Sequence, residues 1–217
     1  MIKLTTDREL KTEIANDFIS RLYLPPVKPT KSFLLATMGI PGSGRTTIAH
    51  LIVEIITGSV LVSANSVRYL IKEIFSPKVG YNIGWGENVR DVLREVSDRL
   101  LREGYSVVFD GNSIDPKDRQ NITQIVEPFG IPARYLDIDI NVNLAKEREK
   151  DKYDNPNWIS SFEEYRVNTT EKMLISIDER DEVHKTMGSI PGLVGTIDNN
   201  GLIEDLLPQV EEIATAL

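Results

Sequence analysis

The chain has 217 residues, a formal net charge of −8 and 41% hydrophobic residues, which fits one globular domain, or one domain with a small appendage. The acidic excess argues against a protein that coats nucleic acid nonspecifically, because such binding rests on many Lys and Arg contacts to phosphate; a local basic groove stays open. The absence of cysteine excludes disulfides and thiolate chemistry, and the two histidines, His50 and His184, are too few for a histidine-based metal site.

No stretch is apolar enough to span a membrane, and the N-terminus lacks the apolar core of a signal peptide; a cytoplasmic location is expected. Leu10, Ile14, Phe18 and Leu22 recur at the spacing of an amphipathic helix, with Thr6 and Glu9 spaced as a capping box at its start. The helix is read as a docking element, with a partner subunit as a candidate surface. Together with the stiff linker Pro25–Lys31 it forms a segment, residues 1–31, ahead of a domain expected over 32–217.

Ser32–Met38 is a short apolar run ending at glycine, which suits a buried strand. The next residues, Gly39-Ile40-Pro41-Gly42-Ser43-Gly44-Arg45-Thr46, match the phosphate-loop pattern G-x-x-x-x-G-K-[ST] at every position but one. Glycines let backbone N–H groups turn inward around phosphate oxygens, and the following helix offers its positive end to the same anion. Gly39, Pro41, Gly42, Ser43, Gly44, Arg45, Thr46 and Thr47 are therefore the candidate phosphate-binding residues. Thr46 places a hydroxyl where Mg²⁺ would be held. Arg45 stands where lysine is usual. It keeps the charge, but its planar fork is larger and prefers bidentate pairing, so it either binds phosphate, crowds the loop or points away.

A helix follows to Gly58, then a strand over Ser59–Ala64 and a helix from Asn65 that ends before Pro77. Pro77–Asn88 is a glycine-rich loop in which Tyr81 and Trp85 are read as pinning the loop to the core rather than stacking on a base. Glu87, a conceivable general base, sits where a helix begins and is read as a cap. Val89, Val92, Leu93, Val96 and Leu100 form a helical stripe closed by Gly104. Tyr105–Asp110 is the third strand, and an apolar strand ending in Asp suits a carboxylate that holds Mg²⁺ directly or through water. Asp115-Pro116 starts a helix that ends near Gly130, and Ala133–Ile140 is the fourth strand, with Asp137 and Asp139 read as turn and cap residues. Asn141–Lys152 is a charged helix broken by Tyr153–Asn157; Ser160 and Glu163 have capping-box spacing for another. Gly192–Asp198 is the last strand, and Ile203, Leu206, Leu207, Val210 and Ile213 mark a closing helix. His50 is read as a packed helix residue.

Strands alternating with helices imply a parallel sheet of about five strands, covered on both faces, with ligands at the carboxyl ends of the strands. The glycine loop, Asn65 and Asp110 all fall at or just beyond such ends.

The stretches GIPGSGRTT, VSANSVR and GYSVVFDGNSIDPKDRQNI together resemble the small P-loop kinases related to phage-type polynucleotide 5′-kinase, a group that also holds predicted AAA-type kinases. The resemblance runs from about Phe33 to the end of the chain and is strongest through about Lys152. It implies a P-loop NTPase fold, here with an extra N-terminal helix, and a cytoplasmic Mg²⁺-dependent kinase that uses ATP or GTP. The family has an Asp, acting as general base, followed three residues later by an Arg that holds the acceptor. The matching residues here are Asn65 and Arg68, so the amide replaces the base. Asp110 matches the acidic residue of the family's next motif, Asn112 its asparagine at the acceptor, and Arg119 the arginine that follows. Arg148 and Lys152 resemble a lid pair; for Arg148 a lid role and a solvated helix face remain equal readings.

The resulting expectation is transfer of the γ-phosphate to a hydroxyl of a nucleic-acid end, a nucleoside or another small acceptor. Arg45, Asp110, Arg68 and Arg148 would be its catalytic residues, Thr46 and Asp110 its metal ligands, and Asn65, Arg68 and Asn112 its acceptor site. The altered Arg45 and Asn65 keep two rivals open, a catalytically impaired nucleotide-binding switch acting through a partner, and an NTP hydrolase.

Overall fold

The computed structural model describes residues 7–71, 85–111, 113–154 and 170–217. Thr6, Tyr81, Asn112, Ser160 and Glu163 lie outside these, as do the side chains of Trp85 and Glu87.

Helix α1 (Asp7–Arg21) precedes β1 (Leu34–Met38), α2 (Arg45–Ile55), β2 (Ser59–Ser63), α3 (Ala64–Leu70), α4 (Trp85–Arg102) and β3 (Ser106–Asp110). Then come α5 (Pro116–Val126), β4 (Ala133–Asp139), α6 (Val142–Asp154), α7 (Thr170–Lys185), β5 (Leu193–Asp198) and α8 (Leu206–Thr215). The strands form one 5-stranded sheet in the order β2-β3-β1-β4-β5, with every pairing parallel. Five parallel strands between helices are what the alternating pattern predicted, and every strand expected from the sequence is present.

All five residues of β1 and of β3 are buried, as central parallel strands covered on both faces must be. The period of two divides the core between the faces. Leu34, Ala36 and Met38 join Val107 and Phe109 on the side covered by α1, α4 and α5. Leu35 and Val108 join Ile48, Ile52, Val210 and Ile213 on the side covered by α2 and α8. Full burial of each such aliphatic side chain is worth roughly 1.5–3 kcal/mol.

Helix α1 docks within its own chain. Ile14, Ala15 and Phe18 are buried in the same core as β1, Lys11 Nζ meets Asp91 Oδ2 on α4 at 2.6 Å, and Arg99 donates to Asn16 Oδ1 at 2.5 Å. The closing helix is shorter than its sequence stripe. Ile203 lies in a separate 3-10 turn, Ile203–Asp205, and Ile203 and Leu207 are exposed while Leu206, Val210 and Ile213 are buried. His50 is exposed rather than packed, because α2 turns Ile48, Ala49 and Ile52 to the sheet instead. Among the described residues no helix is long and apolar enough to cross a membrane.

Candidate active site

The loop between β1 and α2 is held by close backbone approaches. Gly42 has φ 82 and Gly44 has φ 88, the left-handed region that glycine adopts without strain. A β-carbon on Gly42 would overlap the Ala145 carbonyl of α6, and one on Gly44 would overlap the Asn199 amide. Asn199, just past β5, donates from Nδ2 to the Ser43 carbonyl at 2.6 Å and from its backbone N–H to the Asp139 carbonyl at 2.9 Å. It thereby ties the loop to the ends of β4 and β5. No sequence motif marked Asn199. The Ser43 Oγ is buried in the loop without a partner among the described residues, and Pro41, Thr46 and Thr47 lie at the accessible side of the turn.

Arg45 opens α2, and its Nη1 donates to the Gly39 carbonyl at 2.6 Å. Its guanidinium is folded back along the loop. Burial lowers its pKa, Asp110 and Glu149 oppose that shift, and Arg180 and Arg68 add to it.

Asp110 ends β3 and is buried. The parallel register sets Ser63 of β2 beside it, and Ser63 Oγ donates to Asp110 Oδ2 at 2.9 Å. Thr46 Oγ1 donates to the same oxygen at 2.9 Å. A hydroxyl and a carboxylate side by side are the hard oxygen donors that Mg²⁺ takes together with phosphate oxygens. Among the described residues no group of three or more His, Cys, Asp or Glu could hold a metal by itself, and a cation shared with phosphates needs none.

Beyond the ends of β2 and β3 the chain leaves a cavity of about 300 Å³ between α3, α4 and α5. Arg68, Arg90 and Arg94 line it with Asp118, and Phe109 and Gly111, the neighbours of Asp110, also border it. Arg68 Nη1 donates to Asn65 Oδ1 at 3.0 Å, but Asn65 lines a different cavity, with His50 and Tyr69. Burial lowers the Arg68 pKa, Arg180 lowers it further and Asp110 opposes.

The remaining predicted residues take other partners. Arg148 Nη2 donates to the Asn199 carbonyl at 3.2 Å, so it braces the residue that clamps the loop. Lys152 pairs with Glu149 at 2.5 Å. Arg119 donates to the carbonyls of Ser113 and Ile114 and fastens the turn between β3 and α5. Asp137 is no turn residue. Its Oδ1 is 2.6 Å from His184 Nε2, which pins α7 to the sheet. One helical turn before His184 stands Arg180, whose charge acts on Arg45, Arg68 and Asp118. Arg180 follows no motif, so only the packing of α7 reveals it.

The site is thus a glycine loop between a central strand and a helix, with a carboxylate at the end of the adjacent strand. A family model described as an AAA domain matches residues 34–174, which is more than half of the chain. The chain belongs to the AAA domain family. No curated protein matches the sequence. Among solved structures, the protein APE1195 matches at 17% identity and TM-score 0.58, covering 88% of this chain and 99% of that one. A sugar kinase from Janibacter sp. HTCC2649 matches at 20% identity and TM-score 0.52, covering 85% and 95%. The APS kinase of Mycobacterium tuberculosis, in complex with AMPPNP and APS, matches at 14% identity and TM-score 0.53, covering 87% and 98%. At these identities the likeness is one of fold, and this AAA domain has a P-loop kinase-like fold.

Proposed function

We propose that the chain binds a nucleoside triphosphate, ATP or GTP, and transfers its γ-phosphate to the hydroxyl of an acceptor. The acceptor is a nucleic-acid end, a nucleoside or another small molecule, and the acidic composition favours a small one. The observation that carries this reading is the Thr46 Oγ1–Asp110 Oδ2 contact at 2.9 Å, set between the glycine loop and an arginine-lined cavity. It supports one place for triphosphate and cation, and an adjoining place for the acceptor.

In this reading residues 32–217 are the catalytic unit and 1–31 an appended segment. The loop from Gly39 to Thr47, through the backbone N–H groups that its glycines turn inward, and the start of α2 hold the phosphates. Thr46 and Asp110 would hold Mg²⁺, which when bound supplies neutralisation of phosphate charge. Arg68 orients the acceptor and is itself held by Asn65, and Asn112 is the further acceptor residue that the family resemblance implies. Arg180 adds positive charge where negative charge develops, and Arg148 acts from α6 by keeping Asn199 on the loop. Phosphoryl transfer depends mainly on positioning and charge, so the change at position 65 does not by itself end it.

A second reading is a nucleotide-binding switch that acts through a partner. The bond from Arg45 to the Gly39 carbonyl favours it, because a guanidinium donor spent on the loop is withdrawn from the phosphates. Calorimetric titration of wild type and Arg45→Lys with Mg·ATP and Mg·GTP separates the two. Binding by the wild type, followed by transfer of label from γ-labelled nucleotide to an added acceptor, is the expected result. Binding by Arg45→Lys alone would select the switch, and phosphate release indifferent to every acceptor would select a hydrolase.

A further inference from the structure

The amide at Asn65 leaves the acceptor hydroxyl without the carboxylate that the family resemblance leads one to expect there. Two carboxylates line the 300 Å³ cavity among its described residues, Asp91 and Asp118. Asp91 is held by Lys11 Nζ at 2.6 Å and its side chain is 54% exposed. Asp118, in the first turn of α5, is only 22% exposed, and the nearest cation, Arg90 Nη1, stands 3.9 Å from its Oδ1, beyond hydrogen-bonding distance. Asp110 cannot serve as well, since Thr46 and Ser63 already occupy its Oδ2 and it is assigned to the cation.

We propose that Asp118 is the general base for the acceptor hydroxyl, displaced from α3 to α5 across the same cavity. The assignment rests on the phosphotransfer reading above. The hydroxyl oxygen bonds to the γ-phosphorus, and the bond from that phosphorus to the bridging oxygen breaks. Its electron pair leaves on the nucleoside diphosphate, and the hydroxyl proton passes to the Asp118 carboxylate, which returns it to solvent through the cavity. Arg68 shares the cavity wall and senses the charge of Asp110, while Arg180 senses both Arg45 and Asp118. Phe109 and Gly111 border the cavity on either side of Asp110, and Asp110 accepts from Thr46 of the loop at 2.9 Å, so phosphate loop and cavity adjoin.

The charged groups facing Asp118 are Arg90, Asp91 and Arg94 from α4, Arg68 from α3 and Arg180 from α7, with Asp115 and Lys117 from its own segment. Burial raises its pKa and Asp115 adds to the rise, while Arg90, Arg180 and Lys117 oppose it. A carboxylate so shifted is a better proton acceptor, because base strength follows pKa.

The test uses the full chain with Mg·ATP and water as the acceptor. Hydrolysis is followed across the acid and neutral pH range for wild type, Asp118→Asn and Asp118→Glu, with calorimetric Mg·ATP affinity for each. The expected result is a fall in kcat of about 100-fold or more in Asp118→Asn, in the range of a lost general base, at an ATP affinity within about twofold. The acid limb of the rate profile, present in wild type because the base must be deprotonated, flattens in Asp118→Asn and survives in Asp118→Glu. A rate in Asp118→Asn close to that of wild type with the acid limb intact overturns the base alone, as does a wild type that binds ATP without turnover. A wild type that binds no Mg·ATP overturns the nucleotide reading and the base with it.

Discussion

Thr46 and Asp110 stand 64 positions apart, yet the hydroxyl of one donates to the carboxylate of the other at 2.9 Å. The contact exists because β1 and β3 are adjacent and parallel, so the helix after β1 starts beside the end of β3. If this pair holds the cation, Thr46→Ala and Asp110→Asn should each reduce Mg²⁺-dependent turnover by about 100-fold or more, the scale of losing one electrostatic partner of a transition state. ATP binding without Mg²⁺ should change little. Titrations with and without the metal provide the check, and equal losses in both would place the pair outside the metal site.

Arg45 tests whether the unusual cation works. With one donor on the Gly39 carbonyl, the guanidinium still carries its charge within the loop. Arg45→Ala is expected to weaken Mg·ATP binding by about 10-fold or more, the value of one charge-assisted hydrogen bond. Affinity unchanged in Arg45→Ala would mean that the arginine only props the loop.

The glycines divide by what opposes them. Gly42 faces a backbone carbonyl of Ala145, which cannot yield, whereas Gly44 faces the far end of the Asn199 side chain. Gly42→Ala should therefore cost more stability than Gly44→Ala, with both at or above about 1 kcal/mol for the positive φ. The cost of Gly44→Ala should shrink in an Asn199→Ala background, and a double-mutant cycle in denaturant measures that coupling. Strict additivity would show that the clash is relieved elsewhere.

The His184–Asp137 pair predicts a pH dependence. Its hydrogen bond raises the His184 pKa above the ordinary histidine value, burial opposes, and the charges of Asp137, Asp139 and Asp181 add to the rise. A raised folded-state pKa gives stability that is fully present below the unfolded value, about 6.5, and is lost as pH rises through the folded one. Replacing His184 by Gln should cost about 1.5–3 kcal/mol on the acid side, the scale of a bond to a charged group, and progressively less on the alkaline side. Denaturant melts at several pH values read this out, and parallel curves for the two proteins would remove the pair from the account.

Strand positions were legible because central parallel strands are continuous apolar runs: Leu34–Met38 and Ser106–Asp110 are buried at every residue. The glycine loop was legible because its conformation demands glycine at fixed intervals. Ile203 misled for the converse reason, since an apolar residue at helical spacing need not lie in the helix, and here it sits in an exposed 3-10 turn. Asp137 misled because an acid near a strand end reads as a turn until its partner, 47 residues away, is known.

The strand–helix alternation, the phosphate-loop spacing and the carboxylate at the end of β3 all follow from the primary structure, because each is written in local periodicity or in residues next to one another. Packing across the sheet, by contrast, set α1 into the core beside β1, placed Asn199 on the loop, brought the charge of Arg180 to bear on Arg45 and Arg68, and put Asp118 rather than Asn65 on the cavity beside Asp110. These are partnerships across crossover connections. Parallel strands bring distant segments to one edge of the sheet, and which side chains meet there depends on strand order and helix packing, which no local pattern encodes.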